Sequence, residues 1–476
     1  MNNWNPTLRI ALIVSLCVLV TALLVIRQPG YFTNVEYLGG LVLLEAMVAA
    51  VWKYQQRFFP LLILAFLLAG TNVPMGGVWG AVRWLVLGTG AVAGAAIYLA
   101  NYSFYTQFIH WVAISCVVAA ATSAEVSSFP KQPLLKAFSL LLLFLYGTFG
   151  ARLAVKGREE KFSKGLLLAC EALIWFGAIE YFILRRAFFG NPNSLGAIMG
   201  VVAVPLMLWG VSVSETKQVE VRRMCALLLS MSLLLTSYAR ASIVAAAVSG
   251  TLFCVLSRRY RMLIKGALIV LVMATVVVSV VPLPSSPAAA PTLRSRFLFK
   301  GKERSGVLGS RTSVWDNAIS SIEHHPWFGT GFGTALSPYE TNVDQVGYFA
   351  SNTVTTREHG NSYLTILQGV GLIGVIPFLC LLLITIVNIG RALNYLWLTR
   401  DRFSIAVPMA LVLVAGLVHA MFEDWLFAVG YYVCVVFWSF AFMLLEVVPG
   451  KAQELPEDDL LPLQVWHEDA LVSSSR

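Results

Sequence analysis

The sequence predicts an all-α polytopic membrane protein with about 14 transmembrane helices and one ordered loop on the outer side. Of its 476 residues, 58% are hydrophobic and only 12% are charged, and the mean hydropathy is +0.75. Soluble proteins carry roughly 25% charged residues, so this chain has too little charge to cover a soluble surface. The composition therefore excludes an ordinary soluble enzyme, a disordered chain and a nucleic-acid-binding protein.

The apolar runs are the elements of this predicted fold, because a helix needs about 20 apolar residues to cross the bilayer. The candidate spans are 8–26, 35–52, 58–70, 80–100, 106–124, 134–155, 165–184, 194–213, 222–238, 241–257, 262–282, 362–389, 403–422 and 425–447. The third is short, and the ninth and tenth share one apolar block, which could form a broken hairpin. We therefore predict roughly 12 to 14 spans. The first lacks an A-x-A-like cleavage site, so we interpret it as a retained helix.

The basic residues predict the orientation of these spans. They cluster at 156–164, 217–223, 258–265 and 391–402, and an even number of proposed spans separates each cluster from the next. All four clusters can therefore share one side, which the positive-inside rule makes cytoplasmic together with both termini. The predicted division is 1–283 for about 11 helices, 284–361 for a periplasmic loop domain, 362–448 for about three helices, and 449–476 for an acidic cytoplasmic tail.

The loop domain opens with P-L-P-S-S-P-A-A-A-P, a composition typical of linkers. The segment S-V-W-D-N-A-I-S-S-I then has apolar residues at helical spacing, which predicts a helix. Aromatic residues follow along the loop, and a loop this long in a compact protein is usually functional or disordered. Because of these aromatic residues, we expect a small folded cap on the membrane domain.

Charged groups beside membrane spans are expensive, and they are functional candidates by default. The predicted topology places several on the outer side: Arg185, Arg186, Arg240, Arg311, Arg357, His359, Asn361 (a polar neighbour), His419, Glu423 and Asp424. Structural explanations compete for some of them. Arg185 can snorkel at the membrane edge, and His419 and Glu423, at i and i+4, can form a structural hydrogen bond. Arg240 is harder to explain in this way, because it interrupts a long apolar stretch between small residues.

Several arginines on the outer face of a membrane domain suit a lipid diphosphate. A planar guanidinium holds phosphate oxygens through two parallel hydrogen bonds and stays charged, and a nearby histidine can act as a general base. The sequence has no acidic motif for Mg²⁺, no His/Cys set for Zn²⁺ and no phosphate-binding glycine loop. We therefore expect no metal and no cofactor, and a substrate that carries its own energy.

Four motifs carry a family resemblance. They are G-N-P-N-S-L-G at 190–196, S-Y-A-R-A-S at 237–242, G-S-R-T-S-V-W-D-N-A followed by H-H-P-W-F-G-T-G-F-G at 309–333, and H-G-N-S-Y-L-T-I-L-Q-G-V-G-L-I-G at 359–374. In this order, and with the outer loop between the second and the fourth, the chain resembles the O-antigen ligase and O-antigen polymerase family of bacterial envelope glycosyltransferases. The similarity covers roughly 180–440.

The resemblance implies a GT-C-like helical fold and a defined reaction. Such enzymes take a glycan from undecaprenyl diphosphate at the periplasmic face of the inner membrane and pass it, with inversion and without metal, to a hydroxyl of another glycan or of lipid A-core. By position, Arg240 and Arg311 correspond to the arginines that grip the diphosphate, and we add Arg186 as a further candidate. His359 corresponds to the residue that activates the acceptor hydroxyl. Three residues are candidates for supporting roles: Arg357, His419 and Glu423.

One departure from the family pattern leaves the base open. Family ligases often have His directly before Asn, whereas Gly360 separates His359 from Asn361 here. Either a helix start swings His359 into place, since glycine tolerates unusual dihedrals, or Asn361 orients the acceptor and no histidine base exists. The choice between ligase and polymerase also stays open. The alternative function is a transporter or flippase of lipid-linked oligosaccharides, but the chain shows no pair of matching halves.

Overall fold

We describe the fold from a computed structural model, which describes residues 58–72, 76–101, 107–128, 130–186, 189, 191–280, 309–333 and 360–448. Every regular element in these ranges is helical, as predicted. The proposed spans 8–26 and 35–52 and the acidic tail 449–476 lie outside the described residues.

The helices follow the apolar runs closely. In the first half of the described chain they are α1 (Phe58–Ala69), α2 (Gly76–Asn101), α3 (Phe108–Thr122, followed by a 3₁₀ turn), α4 (Lys131–Val155), α5 (Glu159–Ile183) and α6 (Pro192–Ser212). In the second half they are α7 (Lys217–Thr236), α8 (Arg240–Leu256), α9 (Tyr260–Val280), α10 (Gly309–His324), α11 (Ser362–Thr399), α12 (Ala406–Ala420) and α13 (Tyr432–Val447). The proposed ninth and tenth spans are thus two separate helices, α7 and α8, and α10 is the helix expected in the loop.

Of the described helices, 6 are long and apolar enough to cross a membrane: α2, α3, α4, α5, α6 and α11. Helices α1, α8, α12 and α13 are apolar but shorter. The count of about 14 crossings therefore stays a prediction. The described part of the chain is nevertheless that of a membrane protein, because apolar side chains such as Leu383 and Ile376 are 62% and 57% exposed on α11, where lipid would cover them.

Helix α11 is longer than the proposed span 362–389. It extends over 38 residues with a break at Gly371, and it ends where Arg400 adopts a left-handed conformation with φ 56°. The uninterrupted part, 372–399, is ~42 Å long at the usual rise per residue. The sequence suggested an earlier end because Arg391 begins a basic cluster. A helix longer than the bilayer can carry such residues beyond the hydrocarbon, so the charge marks the membrane boundary and not the end of the helix.

The core lies where α6, α12 and α13 meet. Nearly all of their side chains are buried, among them Trp209, Trp438, Phe437 and Phe440. The surrounding helices shield these three from lipid, which explains how α12 and α13 can be short. The neighbouring helices bury one face and expose the other.

The four basic clusters meet at one end of this bundle, which we call the basic end. Lys164 pairs with Glu215 at 3.3 Å, next to the second cluster. The indole of Trp209 donates to the carbonyl oxygen of Arg402 at 2.7 Å, and Arg258 lies over the ring of Trp397. Which side of a membrane this end faces stays a prediction.

Candidate functional site

Two of the four motifs pack directly against each other at the opposite end of the bundle, the site end. A Cβ on Gly196 would lie 2.2 Å from the Cβ of Ala239, and one on Gly200 would lie 2.4 Å from the carbonyl oxygen of Ser242. Only glycine permits this approach of α6 to the start of α8, as small residues do between membrane helices. The G-N-P-N-S-L-G motif and the glycine that follows it therefore fix the start of α8.

Arg240 is the first residue of α8 and is half-buried. Tyr238, just before it, has φ 52°, a left-handed conformation that is uncommon for a bulky residue. The chain thus turns sharply between α7 and α8. The turn places a guanidinium at the helix start, where the fixed backbone keeps it at the site end.

Arg311 lies in the first turn of α10 and is also half-buried. Its Nη2 atom donates to Oε1 of Glu423. Its Nη1 atom is buried and meets no acceptor among the described residues. A buried guanidinium arm without an acceptor is expensive, and an anionic ligand would satisfy it.

Asn361 caps the start of α11. Its Oδ1 accepts from the backbone N–H of Tyr363 at 2.9 Å and from that of Leu364 at 3.2 Å, as in a typical N-cap. Gly360, just before it, has φ 64°, and its carbonyl oxygen accepts from the indole of Trp315 on α10 at 3.1 Å. The start of α11 is therefore tied to the helix that carries Arg311.

The other two motifs meet at a break in α11. Gly371 has φ 69° and ψ −176°, which interrupts the helical hydrogen bonds. The freed N–H of Leu372 donates to the Pro326 carbonyl oxygen at 2.8 Å, and that of Ile373 to the Trp327 carbonyl oxygen at 3.2 Å. In the other direction, the N–H of Thr330 donates to the carbonyl oxygen of Gln368 at 2.9 Å, and the N–H of Gly331 donates to the carbonyl oxygen of Gly369 at 2.9 Å. The segment after α10 thus completes the backbone hydrogen bonding of the broken helix.

The 421–431 loop between α12 and α13 carries Glu423 and is held from several sides. The Ser362 hydroxyl donates to the Glu423 carbonyl oxygen at 2.6 Å and accepts from Leu426 N–H at 3.1 Å. Arg83 of α2 donates to the Gly430 carbonyl oxygen at 2.9 Å. The backbone that carries Glu423, the partner of Arg311, is therefore held in place from several sides.

His419 supports this arrangement from inside the bundle. It is 2% exposed, its Nδ1 accepts from the Trp425 indole at 2.7 Å, and its Nε2 lies 3.0 Å from the hydroxyl of Ser242. An Nδ1 that accepts makes Nε2 the protonated nitrogen of the neutral ring. The hydrogen bond between His419 and Glu423 that their spacing suggested is not the one that forms. Helix α12 ends at Ala420, so Glu423 is no longer on its surface.

The structure brings together some predicted residues and not others. Arg240 lies within electrostatic reach of Arg311, and Glu423 and Asn361 lie beside Arg311 and Gly360. Arg186 is exposed beyond the end of α5, so the structure gives it no place beside Arg240 and Arg311. Arg357 and His359 lie outside the described residues.

Sequence reasoning assigned no role to Ser242, Ser362 and Trp425, whose side chains make hydrogen bonds next to the site. Ser242 and Ser362, like Gly371, were visible only as parts of quoted motifs, and Trp425 lies in an apolar run. Nothing in these patterns says which distant residue each side chain contacts. No group of three or more His, Cys, Asp or Glu side chains that could hold a metal ion occurs in the described part of the chain.

Comparison with known protein families finds a match for the region that contains Arg240, Arg311 and Asn361. Residues 225–379 match the model of the O-antigen ligase family, which supports the predicted relationship to the O-antigen ligases and polymerases. The match covers about a third of the chain and includes Arg240, Arg311 and Asn361, whereas Arg186, His419 and Glu423 lie beyond it. A comparison with curated proteins found no match.

Proposed function

We propose that the protein transfers a glycan from undecaprenyl diphosphate to a sugar hydroxyl, as an O-antigen ligase or as an O-antigen or exopolysaccharide polymerase. The family match supports glycan transfer of this general type. The donor, the acceptor, inversion and independence from metal are parts of the proposal. The bacterial inner membrane, with the site end facing the periplasm and the basic end facing the cytoplasm, is its proposed location.

The convergence of Arg240 and Arg311 carries this proposal. The guanidinium groups of Arg240 and Arg311 lie within electrostatic reach of each other, and the carboxylate of Glu423 pairs with Arg311. Two like charges repel each other, and the negative charge of a bound diphosphate would offset this repulsion. The buried Nη1 of Arg311 gives the diphosphate a donor that is already in place.

The reaction follows from this charge distribution. The acceptor oxygen forms a bond to the anomeric carbon while the bond from that carbon to the phosphate oxygen breaks, and the electron pair leaves on the diphosphate. Arg240 and Arg311 stabilise the negative charge that develops on the leaving oxygen, and such preorganised stabilisation is usually the largest catalytic effect. Attack from the opposite side inverts the anomeric centre.

A base must take the proton from the acceptor hydroxyl. The hydrogen bonds that Asn361 makes as an N-cap indicate whether it can be that base. Its Oδ1 already accepts two backbone N–H groups, so its amide nitrogen is the part that can face a ligand. That nitrogen donates and cannot accept. In our proposal Asn361 therefore orients the acceptor, and His359 takes the proton from the hydroxyl.

A gene deletion followed by gel analysis of surface glycans tests the function. Lipid A-core without glycan, together with accumulated lipid-linked polymer, indicates a ligase. Core that bears a single repeat indicates an O-antigen polymerase, and loss of a secreted polymer with normal lipopolysaccharide indicates an exopolysaccharide polymerase. An unchanged glycan profile would overturn the proposed function. It would also show that the family match does not indicate glycan transfer by this protein.

A further inference from the structure

A cleft at the far end of α10 has no role in the chemistry described above. It has a volume of about 300 Å³ and is lined by Val126, Ser128, His324, His325, Pro326, Trp327, Phe328, Gly329 and Thr330. The side chains of Trp327 and Phe328 are 61% and 59% exposed. Two exposed aromatic rings beside two histidines suit a ligand with both apolar and polar parts.

The cleft is rigid because its backbone is hydrogen-bonded to the break in α11; we call this connection the joint. Pro326 and Trp327 accept hydrogen bonds from α11, and Thr330 donates one back. Gly329, between them, has φ 69°, and a Cβ there would lie 2.5 Å from the Gln368 carbonyl oxygen. The two rings thus stand on a fixed frame, so that a ligand loses little free energy in ordering them.

The polar rim of the cleft favours a sugar over a lipid chain. His324 Nδ1 lies 2.7 Å from the Ser320 carbonyl oxygen. A carbonyl oxygen only accepts, so this Nδ1 carries the proton, and the Nε2 of the neutral ring is left as an acceptor. A hydroxyl can donate to it, whereas an acyl chain offers nothing. A pyranose ring combines an apolar face that stacks on an aromatic ring with a rim of hydroxyls.

The position of the cleft relates it to the arginine site. Arg311 is in the first turn of α10 and His324 is its last residue, so the helix separates the two by ~20 Å. A glycan of several sugars attached to a diphosphate can span this distance. Binding that is remote from the reacting bond is a common way in which enzymes use substrate binding energy.

We propose that this cleft is a glycan subsite. In it a pyranose sugar of the donor or acceptor chain, several sugar units away from the bond that reacts, stacks on an aromatic ring. The proposal rests on the proposed transfer function for its link to catalysis, but it makes a separate claim about sugar binding. It identifies Trp327 as the principal stacking ring and His324 as a hydroxyl acceptor. The subsite would favour long glycans over short ones.

The first test is direct binding, independent of transfer. Oligosaccharides of one to four repeating units, released by mild acid from the surface polysaccharide of the host cell, are titrated into the full-length protein in nanodiscs and followed by calorimetry. We expect Trp327→Ala to weaken binding of the longer oligosaccharides roughly 3- to 10-fold, and Trp327→Phe to restore part of it. His324→Ala should also weaken binding.

Trp111 supplies the matched control. It is a tryptophan on α3 that is 58% exposed and lies away from the cleft lining. Trp111→Ala should leave oligosaccharide binding unchanged. If Trp327→Ala and Trp111→Ala both leave it unchanged and instead alter retention in the bilayer to the same degree, Trp327 contacts lipid and the subsite proposal is wrong.

A transfer assay with short and long acceptors and with short and long lipid-linked donors separates the two proposals and the two sources of the sugar. A raised KM of Trp327→Ala for the long acceptor alone assigns the sugar to the acceptor, and a raised KM for the long donor alone assigns it to the donor.

The same assay separates the subsite from the transfer function. Sugar binding that depends on Trp327, in a protein that transfers nothing, supports the subsite and rejects the transfer function. Normal transfer and normal binding by Trp327→Ala would reject the subsite and leave the transfer function intact.

Discussion

In the proposed mechanism, Arg240 acts through the shape of its guanidinium as well as through its charge. We expect Arg240→Lys to lower the transfer rate by about 10²-fold, nearly as much as Arg240→Ala, because an ammonium group cannot make two parallel hydrogen bonds to phosphate oxygens. The measurement is initial rate of transfer from a lipid-linked donor in nanodiscs. Arg261→Lys, at an exposed arginine of the basic end, is the control and should keep full activity. Near-normal transfer by Arg240→Lys would contradict bidentate binding.

The pair of Arg311 and Glu423 can be tested by its energetic coupling. Glu423→Gln removes the charge-assisted part of the hydrogen bond, and we expect it to lower the free energy of unfolding by about 1 kcal/mol, since both side chains keep some contact with solvent. A double-mutant cycle with Arg311→Gln, measured by thermal unfolding, should give a combined effect smaller than the sum. Strict additivity would show that the two side chains do not stabilise each other.

At the residue scale, the sequence was sufficient to identify residues whose charge is unusual for their surroundings. Arg240 and Arg311 stand out as charges in or beside apolar runs, and in the structure they lie within electrostatic reach of each other. Ser242 and Trp425 do not stand out, because a buried hydrogen bond to His419 depends on the approach of α8 and α12, and no local pattern encodes that approach. Glu423 was visible, but its partner was not, since Arg311 lies 112 positions away in the chain.

At the scale of elements, the break in α11 is the joint between membrane helix and loop. Gly371→Ala would place a Cβ 2.3 Å from the Trp327 carbonyl oxygen, and the backbone there, with φ 69° and ψ −176°, is one that essentially only glycine adopts, so a side chain costs ~1–3 kcal/mol from the backbone alone. We expect a lower melting temperature and a loss of transfer activity. Gly390→Ala in the same helix meets nothing within 4 Å and should be neutral or slightly stabilising. Equal effects of the two substitutions would mean that the joint does not stabilise the site.

Element prediction succeeded where the apolar pattern was strong and failed at ends and joints. The runs from 58–70 to 425–447 that lie in the described ranges all contain a helix. The end of α11 was placed too early because Arg391 resembles a loop residue. The start of α13 was placed too early because the second part of the preceding loop, 425–431, is itself apolar. The glycine contacts that join α6 to α8, and α10 to α11, were invisible because they are made between distant segments.

For the whole molecule, we expect orientation to be measurable by cysteine labelling. In a variant without the 7 native cysteines, Ser320→Cys on α10 should react with a membrane-impermeant maleimide in intact spheroplasts. Lys164→Cys at the basic end should react only after lysis. Both side chains are exposed, so that access to solvent is not limiting. The reverse pattern would invert the proposed topology.

A second prediction at this scale concerns metal. Because the proposed charge stabilisation comes from arginines, we expect full transfer activity after treatment with EDTA and dialysis against metal-free buffer. The measurement is the yield of transferred glycan, with a known Mg²⁺-dependent glycosyltransferase as a positive control for chelation. A loss of activity that Mg²⁺ restores would replace the arginine-only mechanism with a metal-assisted one.

The joint at Gly371 also has a consequence for biogenesis. The backbone groups of 326–331 leave the ribosome before those of 368–373, and their hydrogen-bond partners do not yet exist. Until α11 has entered the bilayer, the loop segment has no surface on which to dock, and Arg311 has no Glu423. The proposed glycan-transfer site would thus be assembled last, after synthesis of most of the chain. A protein whose translation stops before α11 would lack the proposed site altogether.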